Sequence, residues 1–372
     1  MPSPKIARTS STKVTAGSYT GMALARGSSY LPPMIDPELR KRVLVQAQGA
    51  LTLNVAYVGI VGGLLDGLER LDRASAQDIA KVAQQDPGYV VRWCDAAYAF
   101  ELLDEVTPGV FALSDLGRAF LPSTEGTLMP FAVQAVLGAH MSERAAGLMK
   151  SGERPGESVL GERETILPWF GPMLEAQFGP QLDAILPQVP AFAAVDKKNG
   201  VAVDLGCGNG WYLRHLARRY EHLHGIGLDG FDENIRQARR AAQAEGLAER
   251  LDFHSGDLHH FTVEEPVDLI AMNRALHHVW DEKENVFRIL SEHLRPGGFA
   301  VIWEPAWPAE RSALRAPGRR PVAFQNLSEH VQGNHFLQPE EIVRAFEHEG
   351  MSAQVHLFMD GREAVVQAQK PG

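Results

Sequence analysis

Two rhythms of apolar and polar positions divide the chain. From Val201 onward, short apolar runs alternate with amphipathic ones: "VAVDLG", "WYLRHLARRY", "LHGIGLD", "NIRQARRAAQAEG", "LDFHSGD", "VDLIAMN", "NVFRILSEHLRPGG" and "FAVIWEP". The first kind suits buried strands and the second suits helices with one apolar face. Regular strand–helix alternation predicts an α/β fold with a parallel sheet and helices on both faces. Such Rossmann-like sheets bind ligands at the carboxyl ends of their strands.

Residues 31 to about 125 follow helical spacing instead. "SAQDIAKVA" opens on a capping signature, Ser75 with Asp78 three residues on. Asp86-Pro87-Gly88 is a turn in which Pro87 opens the next helix, Tyr89 to Phe100. "LLDEVTPGVFALS" reads as two short strands around Thr107-Pro108-Gly109, a hairpin, and "DLGRAFLP" returns to helix. Helix, turn, helix and hairpin in that order predict a winged helix. Its second helix, "GYVVRWCDAAYAFE", carries one Arg and two acids, too little positive charge to hold DNA phosphates. Dimerisation is the expected role of this domain. Residues 126 to about 195 read as connecting helices and a substrate lid. There "TILPWFGPMLEAQFGPQLDAILPQVPAF" is expected to be chopped into short helices by its prolines. The catalytic domain is then 196–372.

Composition narrows the class. The 372-residue chain is 45% hydrophobic and carries a net charge of -10, which argues against nucleic acid or anionic membrane as partners. Its two cysteines, Cys94 and Cys207, form neither a disulfide framework nor a zinc spacing, so a cytoplasmic setting is expected. The first thirty or so residues are basic and Ser/Thr-rich without an apolar signal core, and are expected to form a flexible arm. Val43 to Leu65 contains no charged residue but includes Gln46, Gln48, Thr52, Asn54 and four glycines. It is read as soluble helix packed in a core or a dimer interface rather than a membrane span.

The chemistry concentrates at "VAVDLGCGNGWYL". Gly206, Gly208 and Gly210 mark a tight strand-to-helix corner where a ligand approaches the backbone. Their spacing is shorter than that of a dinucleotide fingerprint, and Asp204 stands two residues before the first glycine. A carboxylate repels a pyrophosphate and attracts an ammonium group. Asp229, nineteen residues after Gly210, ends the next strand where an acid would meet ribose hydroxyls. Asp257 ends the strand after that, beside an adenine position. Adenosine with an ammonium-bearing chain and no phosphate describes S-adenosylmethionine.

Residues from about 200 to 305 resemble the class I S-adenosylmethionine-dependent methyltransferases, through "VDLGCGNG", "GIGLDG", "SGDL" and "LRPGGFAVIWE". The resemblance implies that Asp204 and the three glycines hold the methionine part, Asp229 and Gly230 the ribose, and Asp257 and Leu258 the adenine. Asn273 would lie near the methionine end. "NRALHHVWDEKENVFRIL" further resembles the small-molecule O-methyltransferases that carry an N-terminal winged-helix dimerisation domain. In that family a histidine past this strand is the general base and an acid after the next strand supports it. His277 and Glu304 match these positions. Two departures stand out: His278 replaces an aspartate usual there, and no acid stands near His335, where a second supporting carboxylate is expected.

His277, His278, His330 and His335 could converge at one pocket mouth, but no compact ligand motif appears and no metal is predicted. His254, His259 and His260 read as surface loop residues. Trp280, Trp303, Trp307 and Phe324 are candidates to line an acceptor pocket, with Trp303 equally suited to the core. The expectation is a cytoplasmic homodimeric methyltransferase of specialised metabolism, transferring methyl to a small-molecule hydroxyl with His277 as base. Carbon or nitrogen methylation, possible with metal assistance, is the first alternative, and a non-enzymatic ligand-sensing regulator the second.

Overall fold

A computed structural model describes residues 35–372; the expected N-terminal arm lies outside them. The described chain divides into a unit that ends at Ala47 and a unit from Gln48 to Gly372. Helix Pro37–Val61 begins in the first unit and ends in the second. It is the one described helix long and apolar enough to cross a membrane, and most of its apolar stretch is solvent-exposed. Of Val43 to Leu65, the chain itself buries Ala56, Tyr57, Gly59 and Ile60 of this helix and Leu64 and Leu65 just beyond it, while the part before Thr52 is exposed.

The helical region forms as the sequence predicts. Ser75 caps helix Ala76–Ala83 by accepting from the Asp78 N–H, and Asp86 caps helix Pro87–Ala99 by accepting from Tyr89. The expected hairpin is β2 (Leu103–Thr107) with β3 (Val110–Leu113), turning at Gly109, whose φ of +76° needs glycine. A two-residue strand missed by the pattern, β1 (Ala74–Ser75), pairs antiparallel with β3. Leu65, Leu68, Ile79, Trp93 and Leu102 fill the core beneath.

The proline-rich segment differs from expectation. Most of it is one helix, Leu167–Ile185, with Pro172 and Pro180 inside it; the chain breaks as expected only at the last prolines, into a 3-10 turn Leu186–Gln188 and helix Pro190–Asp196. Each interior proline loses a backbone hydrogen bond. A further strain, the clash of the proline ring with the Cβ of the preceding residue, is absent because Gly171 and Gly179 precede them. Packing supplies the rest: Met173 joins the core of the helical region, and Phe178, Leu182 and Ile185 join that of the sheet. The segment is therefore a joint shared by two cores.

The large sheet has seven strands, β4 (Val201–Leu205), β5 (His224–Asp229), β6 (Leu251–Ser255), β7 (Val267–Asn273), β8 (Leu294–Pro305), β9 (Ser352–Phe358) and β10 (Glu363–Gln369), in the order β6-β5-β4-β7-β8-β10-β9. The first five are parallel, as predicted. The last two are antiparallel, so the sheet is mixed. The reason is local: four residues, Met359 to Arg362, join β9 to β10, and so short a turn can only reverse the chain. Helices cover both faces. Trp211, Tyr212 and Leu216 pack on one side, and Phe287, Leu290 and Phe346 on the other. The chain leaves β4 for β5 and β6, then returns to β7 on the other side of β4. That reversal opens a crevice at the carboxyl ends of β4, β5 and β7.

Candidate functional site

The crevice is a cavity of about 920 Å³, near the top of the ~300–1,000 Å³ range of ligand pockets. One end is made of backbone. Gly206, Gly208 and Gly210 all have positive φ, at 78°, 54° and 75°. A Cβ on Gly206 would lie 2.7 Å from Ala275, and one on Gly210 would strike the Phe253 ring at 2.6 Å. One on Gly208 would meet nothing, so this glycine faces open space in the cavity wall. Backbone conformation favours glycine at all three positions; packing also excludes a Cβ at two of them, and Gly208 leaves room for a ligand.

Asp229 stands across from this loop. Its Oδ2 accepts from the Gly208 N–H at 2.9 Å, and its Oδ1 accepts from the Phe231 N–H at 2.9 Å and from Asn234 at 3.0 Å. A carboxylate fixed so firmly still has lone-pair capacity toward the cavity, which it lines with Gly230. Asp257 and Leu258 line the next stretch of wall, with Asp257 accepting from the His259 N–H. Asn273 also lines it, and its Oδ1 is buried without a partner among the described residues.

Asp204 is placed differently. It lies behind the glycine loop, fully buried, and both its carboxylate oxygens lack a partner among the described residues. Burial, and then the charge of Asp229, push its pKa well above the usual carboxylate range. An orphaned acid beneath a thin glycine loop fits a cationic ligand on the loop's other side. Asp229 and Asp257 in this wall, with Asp204 behind it, favour a cation over a phosphate.

The other end is made of side chains. Past β7 the chain turns through Arg274, whose φ of +56° is a strained conformation for a side-chain-bearing residue. The turn delivers His277 into the cavity wall. Glu304, near the end of β8, accepts from His277 Nδ1 at 2.7 Å and from the His277 backbone N–H at 3.3 Å. Burial works to raise the Glu304 pKa, but the facing His277 ring, with Arg274 beyond, holds it below the usual carboxylate range. An ionised Glu304 fixes the hydrogen on Nδ1. Nε2 is left as the acceptor, buried and without a hydrogen-bond partner. The nearest charge to it is Glu329 Oε2, at 3.8 Å.

Sequence reasoning expected no second carboxylate; the structure supplies one in Glu329, on helix Arg320–Gln332. It stands on the helix before the expected position, His335, which is itself solvent-exposed. His330 is exposed too, so of the four histidines only His277 and His278 line the cavity. Donor atoms of these two and of Glu329 lie within 4.8 Å of one another. His254 and His260 are exposed as expected, but His259 lines the cavity.

The aromatic candidates fare unevenly. Phe324 lines the cavity, whereas Trp303 is core, edge-on to Phe178 and Trp211 with its Nε1 donating to Glu363. Trp280 packs on Phe287 outside the cavity, and Trp307 is not in its wall either. Their places are taken by Phe131, Phe170 and Phe178, on the two long helices before the sheet. Arg274 was also missed. Its guanidinium sits 3.9 Å above the Phe178 ring and pairs with Glu363 at 2.7 Å.

Comparison with known proteins matches residues 202–298 to a methyltransferase-domain family. An uncharacterised methyltransferase of Geobacillus kaustophilus is 31% identical over 180 residues, covering 46% of this chain and 80% of that protein. Among solved structures, human N-acetylserotonin methyltransferase in complex with S-adenosylmethionine superposes with a TM-score of 0.69 at 15% identity, covering 91% of this chain and all of that one. An O-methyltransferase from neocarzinostatin biosynthesis, in complex with S-adenosylmethionine and 2-hydroxy-5-methyl naphthoic acid, gives 0.60 at 17% identity, covering 86% and 96%.

Proposed function

The chain belongs to the class I S-adenosylmethionine-dependent methyltransferases, and from that premise we propose that it methylates a hydroxyl group of a small, largely apolar aromatic acceptor. The observation that carries this reading is His277 Nε2: buried, facing the cavity, unpartnered, and opposite an Nδ1 clamped by Glu304. The neocarzinostatin-pathway neighbour, bound to a hydroxynaphthoic acid, supports an aromatic acceptor of specialised metabolism.

Asp229 and Gly230 take the ribose, Asp257 and Leu258 the adenine, and the glycine loop with Asn273 the methionine end. Asp204 balances the ammonium charge through the loop. S-adenosylmethionine, when bound, supplies an activated methyl on a sulfonium that departs as a neutral thioether. His277 Nε2 removes the hydroxyl proton as the oxygen gains the methyl, and Glu304 and Glu329 stabilise the resulting imidazolium. The phenylalanine walls hold the ring and exclude water, so that positioning carries much of the remaining rate.

Product analysis with a labelled methyl donor tests the reading. The label is expected on oxygen as an ether, with His277→Gln strongly impaired because an amide cannot accept the proton at neutral pH. Label on carbon or nitrogen contradicts it.

The domain assignment follows: a winged-helix dimerisation domain at 31–125, a connecting segment at 126–195 and a catalytic domain at 196–372. Helix Pro87–Ala99 and the end of helix Pro37–Val61 leave an apolar groove that includes Leu51, Val55, Val58 and Tyr89, which supports burial against a second copy. Light scattering at micromolar concentration is expected to give a dimer; a monomer contradicts it.

A further inference from the structure

The cavity wall contains two arginines, and they are engaged differently. Arg274 is matched: its guanidinium pairs with Glu363 at 2.7 Å and lies over the Phe178 ring. Arg362, half-buried at the turn between β9 and β10, is not. Its Nε donates to the Met359 carbonyl at 2.7 Å. Its two terminal nitrogens make no hydrogen bond or ion pair with another described residue.

The turn holds this side chain in place. Met359, Asp360 and Gly361 have φ of 50°, 54° and 75°, and the two that carry side chains need outside support in that conformation. Arg319 supplies it, donating to the Gly361 carbonyl at 2.6 Å and to the Ala306 carbonyl at 2.9 Å. The Arg362 guanidinium lies against Gly318, also in the cavity wall, where a Cβ would come within 2.7 Å of Nη1.

Resting on the reading of a hydroxyl acceptor, we propose that Arg362 binds a carboxylate at the end of the acceptor remote from that hydroxyl. Charge and distance carry the argument. The base end is acidic: Glu304 and Glu329 flank His277, and Glu157 lies 2.9 Å from His278 Nδ1. A carboxylate beside the reacting hydroxyl would face these acids. Arg362 stands clear of them. Its carbonyl accepts from the Ala306 N–H, whereas Glu304 pairs with Ala364. Strand geometry therefore puts the Arg362 backbone about 7 Å further out than Glu304 and about 5 Å to the side, the scale of a two-ring acceptor. Two free N–H groups in one plane match the two oxygens of a carboxylate. The approach is positive as well. Residues 311–320, which reach the cavity wall at Gly318, hold Arg311, Arg315, Arg319 and Arg320 and no acid, in a chain of net charge -10. Such a local field draws an anion toward the entrance.

Calorimetry on the full chain saturated with S-adenosylhomocysteine tests this, with 6-hydroxy-2-naphthoic acid and its primary amide as probes, alike in shape and different in charge. The wild type is expected to bind the acid more tightly by about tenfold or more, the usual worth of hydrogen bonds between charged groups. Arg362→Gln should remove that preference while binding the amide as before, and Arg362→Lys, which keeps the charge, should retain part of it. Equal affinities in the wild type, no binding of either probe, or a preference unchanged in Arg362→Gln would overturn the proposal. Each of these results leaves the methyl-transfer reading standing; that reading fails instead if the label goes to carbon or nitrogen.

Discussion

The two ends of the cavity are built in opposite ways. The end proposed for the cofactor is a backbone construction, formed by one strand, three glycines and the acids closing the next two strands. The end proposed for the acceptor is a side-chain construction drawn from segments far apart in sequence. Phe131 and Phe178 come from two long helices, His277 from a strand end, Glu304 from the next strand, Glu329 from a later helix, and Glu157 from a connector. A backbone site tolerates little change, since a Cβ collides or a φ is forbidden. A side-chain site can be re-specified one residue at a time. The acceptor end should therefore be where related chains with this fold diverge in chemistry.

That contrast breaks if changes at one end spill into the other. The largest effect is expected from Glu304→Gln. A neutral amide no longer fixes the His277 tautomer, so kcat should fall by about 10²–10⁴-fold while S-adenosylhomocysteine affinity holds. Asp229→Ala should do the reverse, weakening the cofactor by about 1.5–3 kcal/mol in calorimetry with kcat at saturation little changed. Gly206→Ala should cost stability, about 1–3 kcal/mol in thermal unfolding, because it meets both a forbidden φ and Ala275. Gly109→Ala, with similar φ but open space, should cost less, about 1 kcal/mol.

The smallest effects are in pH. Asp204 has a raised pKa and must ionise to face an ammonium group, so cofactor affinity should rise as pH climbs through that pKa and level off above it. A flat profile removes Asp204 from the site. The Glu157–His278 pair behaves as a window. Glu157 is depressed, so its contribution is lost as pH falls through its folded pKa. His278 is raised, so its contribution is lost as pH rises through its own. Stability of the wild type relative to Glu157→Gln should peak between the two.

The same contrast explains what the sequence disclosed. The glycine corner, Asp229 and Asp257 were legible because short-range spacing encodes a turn and strand ends. His277 and Glu304 were legible because each sits just past or near a strand end, whose position follows from apolar periodicity. Glu329 and Glu157 were not. Each is one acid among many on an amphipathic segment, and only tertiary packing turns it inward. Helix Leu167–Ile185 departs from expectation because glycine before each interior proline and packing on two cores offset the lost hydrogen bonds, and β9–β10 lie beyond the stretch where strand and helix alternate regularly, although β9 itself alternates polar and apolar residues from Ser352 to Leu357.

The central claim is that His277 does chemistry and does not hold the cofactor. Its most direct test is a paired measurement on His277→Ala: the dissociation constant for S-adenosylhomocysteine, and kcat for methyl transfer to an acceptor turned over by the wild type. The account predicts an unchanged dissociation constant with kcat lowered by about 10²–10⁴-fold. A variant that keeps most of its kcat, or one that loses the cofactor instead, would contradict it.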